Sequence, residues 1–98
     1  MSDTNSALLL VDIQNDFCEG GSLAVPDASK IMPVVNSLIG EASEAGQMII
    51  ASRDWHTVDH ASFEDRGGPW PPHCIQDTEG AAFHAGMQLP DDAVRVSK

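Results

Sequence analysis

Ala7-Leu-Leu-Leu-Val-Asp-Ile13 is an apolar run that only Asp12 interrupts, near its end. Such a short, nearly continuous apolar run is typical of a strand that is buried on both faces, as in a parallel sheet. Met48-Ile-Ile-Ala51 predicts a second buried strand, and Ala93-Val-Arg-Val-Ser97 predicts a third. The three runs therefore indicate a parallel sheet.

A helix is predicted between the first two strands. Its apolar residues follow helical spacing: Val34, Val35, Leu38, Ile39, Ala42 and Ala45. Asp27 and Ser29 are candidate N-caps, Pro33 fits the first turn, and Gly46 is a plausible C′ residue. Residues 53–90 contain four prolines and little regular pattern, which predicts a long loop of the kind that usually carries function. The order strand, helix, strand, loop, strand is the start of a parallel α/β fold.

Composition limits the classes of partner. The 98 residues suffice for one small domain, and 42% of them are hydrophobic. The net charge of -10 argues against nucleic acid or an anionic membrane surface as partner, and no apolar run is long enough to span a bilayer. Residues 1–6 have no basic or apolar pattern and predict a disordered lead. Two cysteines without a signal sequence indicate free thiols in a cytoplasmic protein.

Polar residues follow the ends of all three predicted strands. Asp12 lies near the end of the first strand, Arg53 and Asp54 follow the second, and Lys98 follows the third. In open parallel sheets the ligand crevice lies beyond the carboxyl ends of the strands, so these side chains are expected to converge there. Asp12 and Lys98 could then form either a structural ion pair or an acid/base couple, and the pattern alone does not separate the two.

A carboxylate and three histidines in the long loop indicate a metal site. The candidates are Asp54, His56, His60 and His73, a donor set that suits a divalent first-row metal. A single helical turn would bring His56 and His60 to one face, because they are four positions apart. The alternative is a set of unrelated surface histidines, which the grouping of the three beside Asp54 disfavours. His84 has no such neighbours and is expected to be structural or exposed.

Three aromatic residues and two cysteines complete the set of candidates. Phe17, Trp55 and Trp70 could wall a pocket for a flat ring, although ordinary packing is the more common use of buried aromatic side chains. Cys18 has no basic neighbour, and Cys74 adjoins a histidine that the metal site already uses. Both are expected to be buried, unreactive thiols.

Four segments together resemble the nicotinamidase/pyrazinamidase family of the isochorismatase-like hydrolases. They are Val11-Asp-Ile-Gln-Asn-Asp-Phe-Cys-Glu-Gly-Gly-Ser-Leu23, Arg53-Asp-Trp-His56 with His60, Trp70-Pro-Pro-His-Cys74, and Val96-Ser-Lys98. The resemblance implies a Rossmann-like, three-layer parallel α/β sheet. It also implies hydrolysis of nicotinamide, and of pyrazinamide, to the acid and ammonia in NAD salvage.

The resemblance also assigns roles to individual residues. It makes Asp12 the catalytic carboxylate and Lys98 the catalytic lysine. Asp54, His56, His60 and His73 become the ligands of one zinc, iron or manganese ion. Phe17 and Trp70 become the stacking walls of the substrate pocket.

The nucleophilic cysteine of that family lies well downstream of its lysine. Residues 7–98 are therefore expected to be the N-terminal portion of a single isochorismatase-like domain, inactive alone. Three strands with one helix would leave an apolar face and a sheet edge open, which favours pairing with a C-terminal half or with another copy. Two alternatives stay open: a metal-binding or interaction fragment without catalysis, and a related hydrolase of another small amide. The complete metal set argues against a vinyl ether substrate.

Overall fold

The computed structural model describes residues 5–98, so most of the predicted disordered lead, residues 1–4, lies outside the described residues. Three strands form one parallel sheet in the order β1, β2, β3. They are β1 (Ala7–Val11), β2 (Met48–Arg53) and β3 (Val94–Ser97), and helix α1 (Met32–Glu44) joins β1 to β2. Short 3₁₀ turns occupy Asn15–Phe17, Ala28–Ile31, Glu64–Arg66 and Glu79–Ala81. The predicted α/β fold is confirmed.

Helix α1 packs on one face of the sheet and forms the core with it. The buried cluster comprises Leu10, Met32, Val35, Ile39, Ala42, Ile49, Ala51 and Met87. The helical residues of this cluster recur at the spacing of one helix face, whereas Val34 and Leu38 of the predicted apolar pattern are exposed. Within residues 5–98, no helix is both long and apolar enough to cross a membrane.

The predicted N-cap of α1 is wrong. The helix begins at Met32, directly after the 3₁₀ turn Ala28–Ile31, and its N-cap position is Ile31. Asp27 lies in the left-handed region and makes no capping bond, while Ser29 binds the carboxylate of Glu19 through its N–H and its hydroxyl. The long-range bond to Glu19 outweighs the local capping preference of Ser29. Pro33 lies in the first turn, as predicted.

The predicted end of α1 is confirmed. Gly46 has a φ of 72°, its N–H donates to Ser43, and the next N–H, of Gln47, donates to Ala42. This pair of bonds is a Schellman motif, in which a residue in the left-handed region closes the helix. Glycine suits the position because it has no Cβ to strain that conformation.

The prediction that β1 is buried on both faces is wrong. Side chains on the face opposite α1 are exposed, and the large ones are Leu9, Val11, Met48, Val94 and Val96. A parallel sheet hides both faces only where helices cover both, and α1 covers one. The strand also ends at Val11, before the predicted Ile13, because Asp12 turns the chain with a φ of 56°. The expected open apolar face is therefore present.

Candidate functional site

Polar side chains from the carboxyl ends of all three strands meet at one point. Lys98 Nζ lies 2.9 Å from Asp12 Oδ2 and 3.0 Å from Asp54 Oδ1. Main-chain bonds hold Lys98 against the end of β2: its N–H donates to Arg53 O, and Trp55 N–H donates to Lys98 O. The convergence expected from the strand order is confirmed for Asp12, Asp54 and Lys98.

Asp12 is held by three separate interactions. Its N–H donates to Ser52 O at 3.1 Å, and the Ser52 hydroxyl donates to Asp12 Oδ1 at 2.9 Å, which leaves Oδ2 to Lys98. Hydrogen bonds to Asp12, and then to Asp54, raise the pKa of Lys98, so its side chain is an ammonium at neutral pH. This geometry suits both an ion pair and an acid/base couple.

Asp54, His56 and His73 form a group that could hold a metal ion. Their ligand atoms all lie within 4.8 Å of one another. Asp54 Oδ2 is 3.5 Å from His56 Nε2 and 3.8 Å from His73 Nε2. Two ligand atoms of a tetrahedral zinc ion with bonds of about 2.0 Å lie about 3.3 Å apart. The two Asp54–histidine separations are close to that value and no pair in the group exceeds 4.8 Å, so modest movements would let the three side chains share an ion.

The protonation of two histidines also fits a metal. His73 Nδ1 lies 2.8 Å from Pro71 O, which can only accept, so Nδ1 carries a proton and Nε2, which faces Asp54, is the atom left to bind a metal. Burial, followed by the nearby His60, lowers the pKa of His56 and favours its neutral, ligating form. The donor set therefore has the chemistry of a divalent metal site.

His60 lies beside this group and outside it. Its ring centroid is 4.1 Å from that of His56, but no helical turn joins them; His60 N–H closes a turn onto Thr57 O. The expected helical turn is thus wrong. His60 Nδ1 accepts the Ser62 N–H at 3.2 Å, so a neutral ring carries its proton on Nε2. Its role as a fourth ligand stays a prediction.

Phe63 packs beneath the histidines, and the sequence analysis missed it. The side chain is fully buried, and its ring centroid lies 5.9 Å from His56, 5.6 Å from His60 and 5.4 Å from His73. An apolar floor of this kind restricts the rings and keeps water away from one side of the site. The only signal in the sequence is a large apolar residue within a polar loop.

Gln14 and Asp16 also shape the site, although the sequence analysis gave them no such role. Gln14 is fully buried and bonds the main chain of Asp54. Asp16 Oδ2 accepts the Cys74 N–H at 2.8 Å, next to His73, across 58 positions of sequence. Cys74 has a φ of 49°, and this bond supports that left-handed turn.

The three candidate pocket residues occupy different surroundings. Phe17 lies against the group of Asp54, His56 and His73, with its ring centroid 5.7 Å from that of His73. Trp70 lies in the long loop and is 48% exposed. Trp55 stacks under the Arg53 guanidinium at 3.9 Å, which accounts for it as packing. The pocket role of Phe17 and Trp70 stays a prediction.

Both cysteines are free and buried, as predicted. Burial raises the pKa of Cys18, with Glu19 adding to the effect. Burial, followed by Asp16, raises the pKa of Cys74 to about 12. A thiol must ionise to attack, so neither is a competent nucleophile at neutral pH. His84, whose Nδ1 accepts the Gly86 N–H, is structural, in line with its prediction.

Known proteins share both this sequence and this fold. Residues 6–98 match the Isochorismatase domain family. An Escherichia coli nicotinamidase is 44% identical in an alignment that covers 80% of this chain and 44% of that protein. A Pyrococcus horikoshii pyrazinamidase in complex with zinc superposes with a TM-score of 0.90 at 53% identity, over 94% of this chain and 50% of that one.

A protein from L. infantum in complex with nicotinate gives a TM-score of 0.85 at 35% identity, over all of this chain and 51% of that one. The chain spans about half the length of each of these relatives. Its sheet is thus part of the isochorismatase-like hydrolase fold. This chain belongs to the isochorismatase family, and nicotinamidases and pyrazinamidases are among its relatives in that family.

Proposed function

We propose that this chain supplies the metal site and the acid/base pair of a nicotinamidase. The reaction is hydrolysis of nicotinamide to nicotinate and ammonia in NAD salvage, with pyrazinamide as a second substrate. One observation carries the proposal: Lys98 Nζ bridges Asp12 Oδ2 and Asp54 Oδ1, and Asp54 Oδ2 faces two histidines. The Asp54 carboxylate therefore connects the proposed catalytic pair, through Lys98, with the histidines of the proposed metal site.

In the proposed reaction Asp12 accepts the proton of a cysteine thiol, and the Lys98 ammonium favours the thiolate that results. The thiolate forms a bond to the amide carbon, the carbon–nitrogen bond breaks, and the leaving nitrogen takes up the proton to depart as ammonia. Water then cleaves the thioester, which releases nicotinate and restores the thiol.

One zinc, iron or manganese ion would be held by Asp54, His56 and His73, with His60 as the predicted fourth ligand. When bound, it would hold the pyridine nitrogen of the substrate. Phe17 and Trp70 would stack against the ring. Phe17 is well placed for this because its ring already lies against His73.

The nucleophilic thiol has to come from residues beyond these 98. Cys18 and Cys74 are the two cysteines of the sequence, and both are buried with raised pKa values. We therefore expect residues 7–98 to act as the N-terminal portion of one domain, able to bind a metal but not to hydrolyse the amide alone. Two unpaired thiols suit the reducing cytoplasm, which we propose as the compartment.

The complementary half is the partner that we propose for the open sheet face. The side chains of Leu9, Val11, Val94 and Val96 form an apolar surface there, and β1 leaves one edge of the sheet unpaired. The relatives are about twice as long as this chain, so their remaining half offers a polypeptide of the right size. Self-association of the chain is the competing outcome.

The test is complementation. The chain is co-expressed with the C-terminal half of the Escherichia coli nicotinamidase, and ammonia release from nicotinamide and pyrazinamide is measured. We expect turnover only when both halves are present. Asp12→Ala should lower it by about 10²- to 10⁴-fold, the usual contribution of a general base. Asp92→Ala is the control, because Asp92 is exposed and precedes β3, at the opposite end of that strand from Lys98.

Three results would count against the proposal. They are a stable complex that hydrolyses neither amide, full activity in Asp12→Ala, and turnover by the 98-residue chain alone. The last would require a nucleophile within this chain. A complex that binds zinc yet hydrolyses only a different small amide would keep the chemistry and change the substrate.

A further inference from the structure

Gln14 carries a fully buried polar side chain outside the set of residues that the proposed reaction uses. A buried amide is costly unless its donors and its acceptor are bonded. Gln14 Nε2 donates to Asp54 O at 2.8 Å and to Ala81 O at 2.9 Å, and Asp54 N–H donates to Gln14 Oε1 at 2.9 Å. Both amide hydrogens and the carbonyl oxygen are therefore engaged.

The Gln14 amide takes the place of a strand partner that the main chain of Asp54 lacks. The ladder between β1 and β2 runs to Val11 opposite Ser52, and one further bond joins Asp12 N–H to Ser52 O. Asp12 then turns the chain away in a left-handed conformation. The N–H and C=O of Asp54 would lose their β1 partner here, and the Gln14 side chain replaces that partner with the same pair of bonds.

The consequence reaches the side chain of Asp54. Its Oδ1 lies 3.0 Å from Lys98 Nζ, and its Oδ2 faces His56 and His73. A carboxylate with two different tasks depends on the direction of its Cα–Cβ bond, which the main chain sets. Gln14 fixes that main chain on both sides of the Asp54 Cα.

We propose that Gln14 is a positioning residue that holds Asp54 so that its carboxylate serves Lys98 and the metal group together. Gln14 touches neither the metal nor the substrate in this assignment; it acts through Asp54. The contact with Ala81 fastens the same amide to the 3₁₀ turn Glu79–Ala81 and limits its movement. The inference rests on the proposed metal site and adds a residue outside the ligand set.

The test compares Gln14→Met with wild type in the 98-residue chain, by zinc titration against a chromogenic chelator. Methionine keeps the length of the side chain and removes all three bonds. Partners that orient metal ligands usually contribute 10- to 100-fold to affinity, so we expect zinc binding to weaken by about that factor. Gln76→Met is the matched control, because its exposed amide donates to the neighbouring Trp55 O.

Amide hydrogen exchange separates positioning from general stability. In Gln14→Met the Asp54 N–H should lose its protection while core amides such as that of Leu10 keep theirs. Unchanged zinc affinity, or uniform loss of protection across the sheet, would overturn the proposal.

The wild-type chain offers a second test that needs no substitution. Coupling between two sites is reciprocal, so if Gln14 favours zinc binding, zinc must favour the Gln14 bonds. We expect zinc to slow exchange of the Gln14 Nε2 hydrogens; no slowing in a zinc-bound chain would overturn the inference even if Gln14→Met does not fold. A wild-type chain that binds no zinc would instead refute the proposed metal site. Gln14 would then be judged by the Asp54 N–H protection alone.

Discussion

At the scale of single residues, the site divides its carboxylate oxygens among different partners. Asp12 gives Oδ1 to Ser52 and Oδ2 to Lys98, whereas Asp54 gives Oδ1 to Lys98 and Oδ2 to the histidine group. Lys98 thus takes one oxygen from each aspartate, and the two remaining oxygens face Ser52 and the histidines. A substitution at one of these residues should therefore affect one function more than another.

Zinc binding should depend unequally on two of the histidines. His73→Ala should abolish the rise in thermal stability that zinc produces, since His73 is buried with its Nε2 directed at Asp54. His60→Ala should reduce that rise less, because Ser62 already engages His60 Nδ1. Zinc at 100 times its Kd stabilises a protein by about 2.7 kcal/mol, which differential scanning calorimetry resolves. Equal losses in the two variants would instead assign His60 the same weight as His73.

At the scale of elements, alanine substitution of a glycine inside α1 and of the glycine just after it should change the free energy of unfolding in opposite directions. Gly46→Ala should lower the free energy of unfolding by about 1 kcal/mol, because Gly46 closes α1 in the left-handed region. Gly40→Ala should raise it by about 0.5–1 kcal/mol, since Gly40 lies inside α1 and an added Cβ meets open space. Urea denaturation measures both. Stabilisation by Gly46→Ala would contradict the Schellman assignment.

The loop before α1 should weaken in acid through Glu19. The Ser29 hydroxyl and the Ser29 N–H lower the pKa of Glu19 below its ordinary value of 4.5, with His84 adding to the effect. A lowered folded pKa means stabilisation that is present above 4.5 and lost as the pH falls through the folded value. Wild type should therefore be more stable than Glu19→Ala at pH 7, as measured by urea midpoints. A gap that is the same at pH 3 would show that the carboxylate charge is not involved.

At the scale of the whole molecule, the sheet has one covered and one open face. The exposed side chains of Leu9, Val11, Val94 and Val96 make the open face a surface for association. Val96→Lys should reduce concentration-dependent association in sedimentation experiments. Val58→Lys is the matched control, because Val58 is 71% exposed and lies in the long loop, outside the three strands. A wild-type chain that stays monomeric at high concentration would argue against self-association through this face.

The sequence by itself determined the fold class and most of the site. Apolar runs of strand length, the first two separated by a segment with helical periodicity, predict a parallel sheet. The polar residues that follow those runs are then expected to meet at one edge of the sheet. That argument alone places Asp12, Asp54 and Lys98 together, and their distances agree. The buried, unreactive state of both cysteines also followed from residue type and neighbours.

Only the tertiary structure decided the details that depend on contacts distant in sequence. Periodicity does not say how many faces of a sheet are covered: the apolar run of β1 predicted burial on both faces, and only the count of one helix for three strands indicated the open face. Local preference predicted Ser29 as an N-cap of α1, but Ser29 donates a hydrogen bond to the carboxylate of Glu19 instead. The sequence does not reveal the role of Gln14, because its amide bonds the main chain of Asp54, 40 positions away. Buried polar groups must find partners, and folding alone decides which partners are within reach.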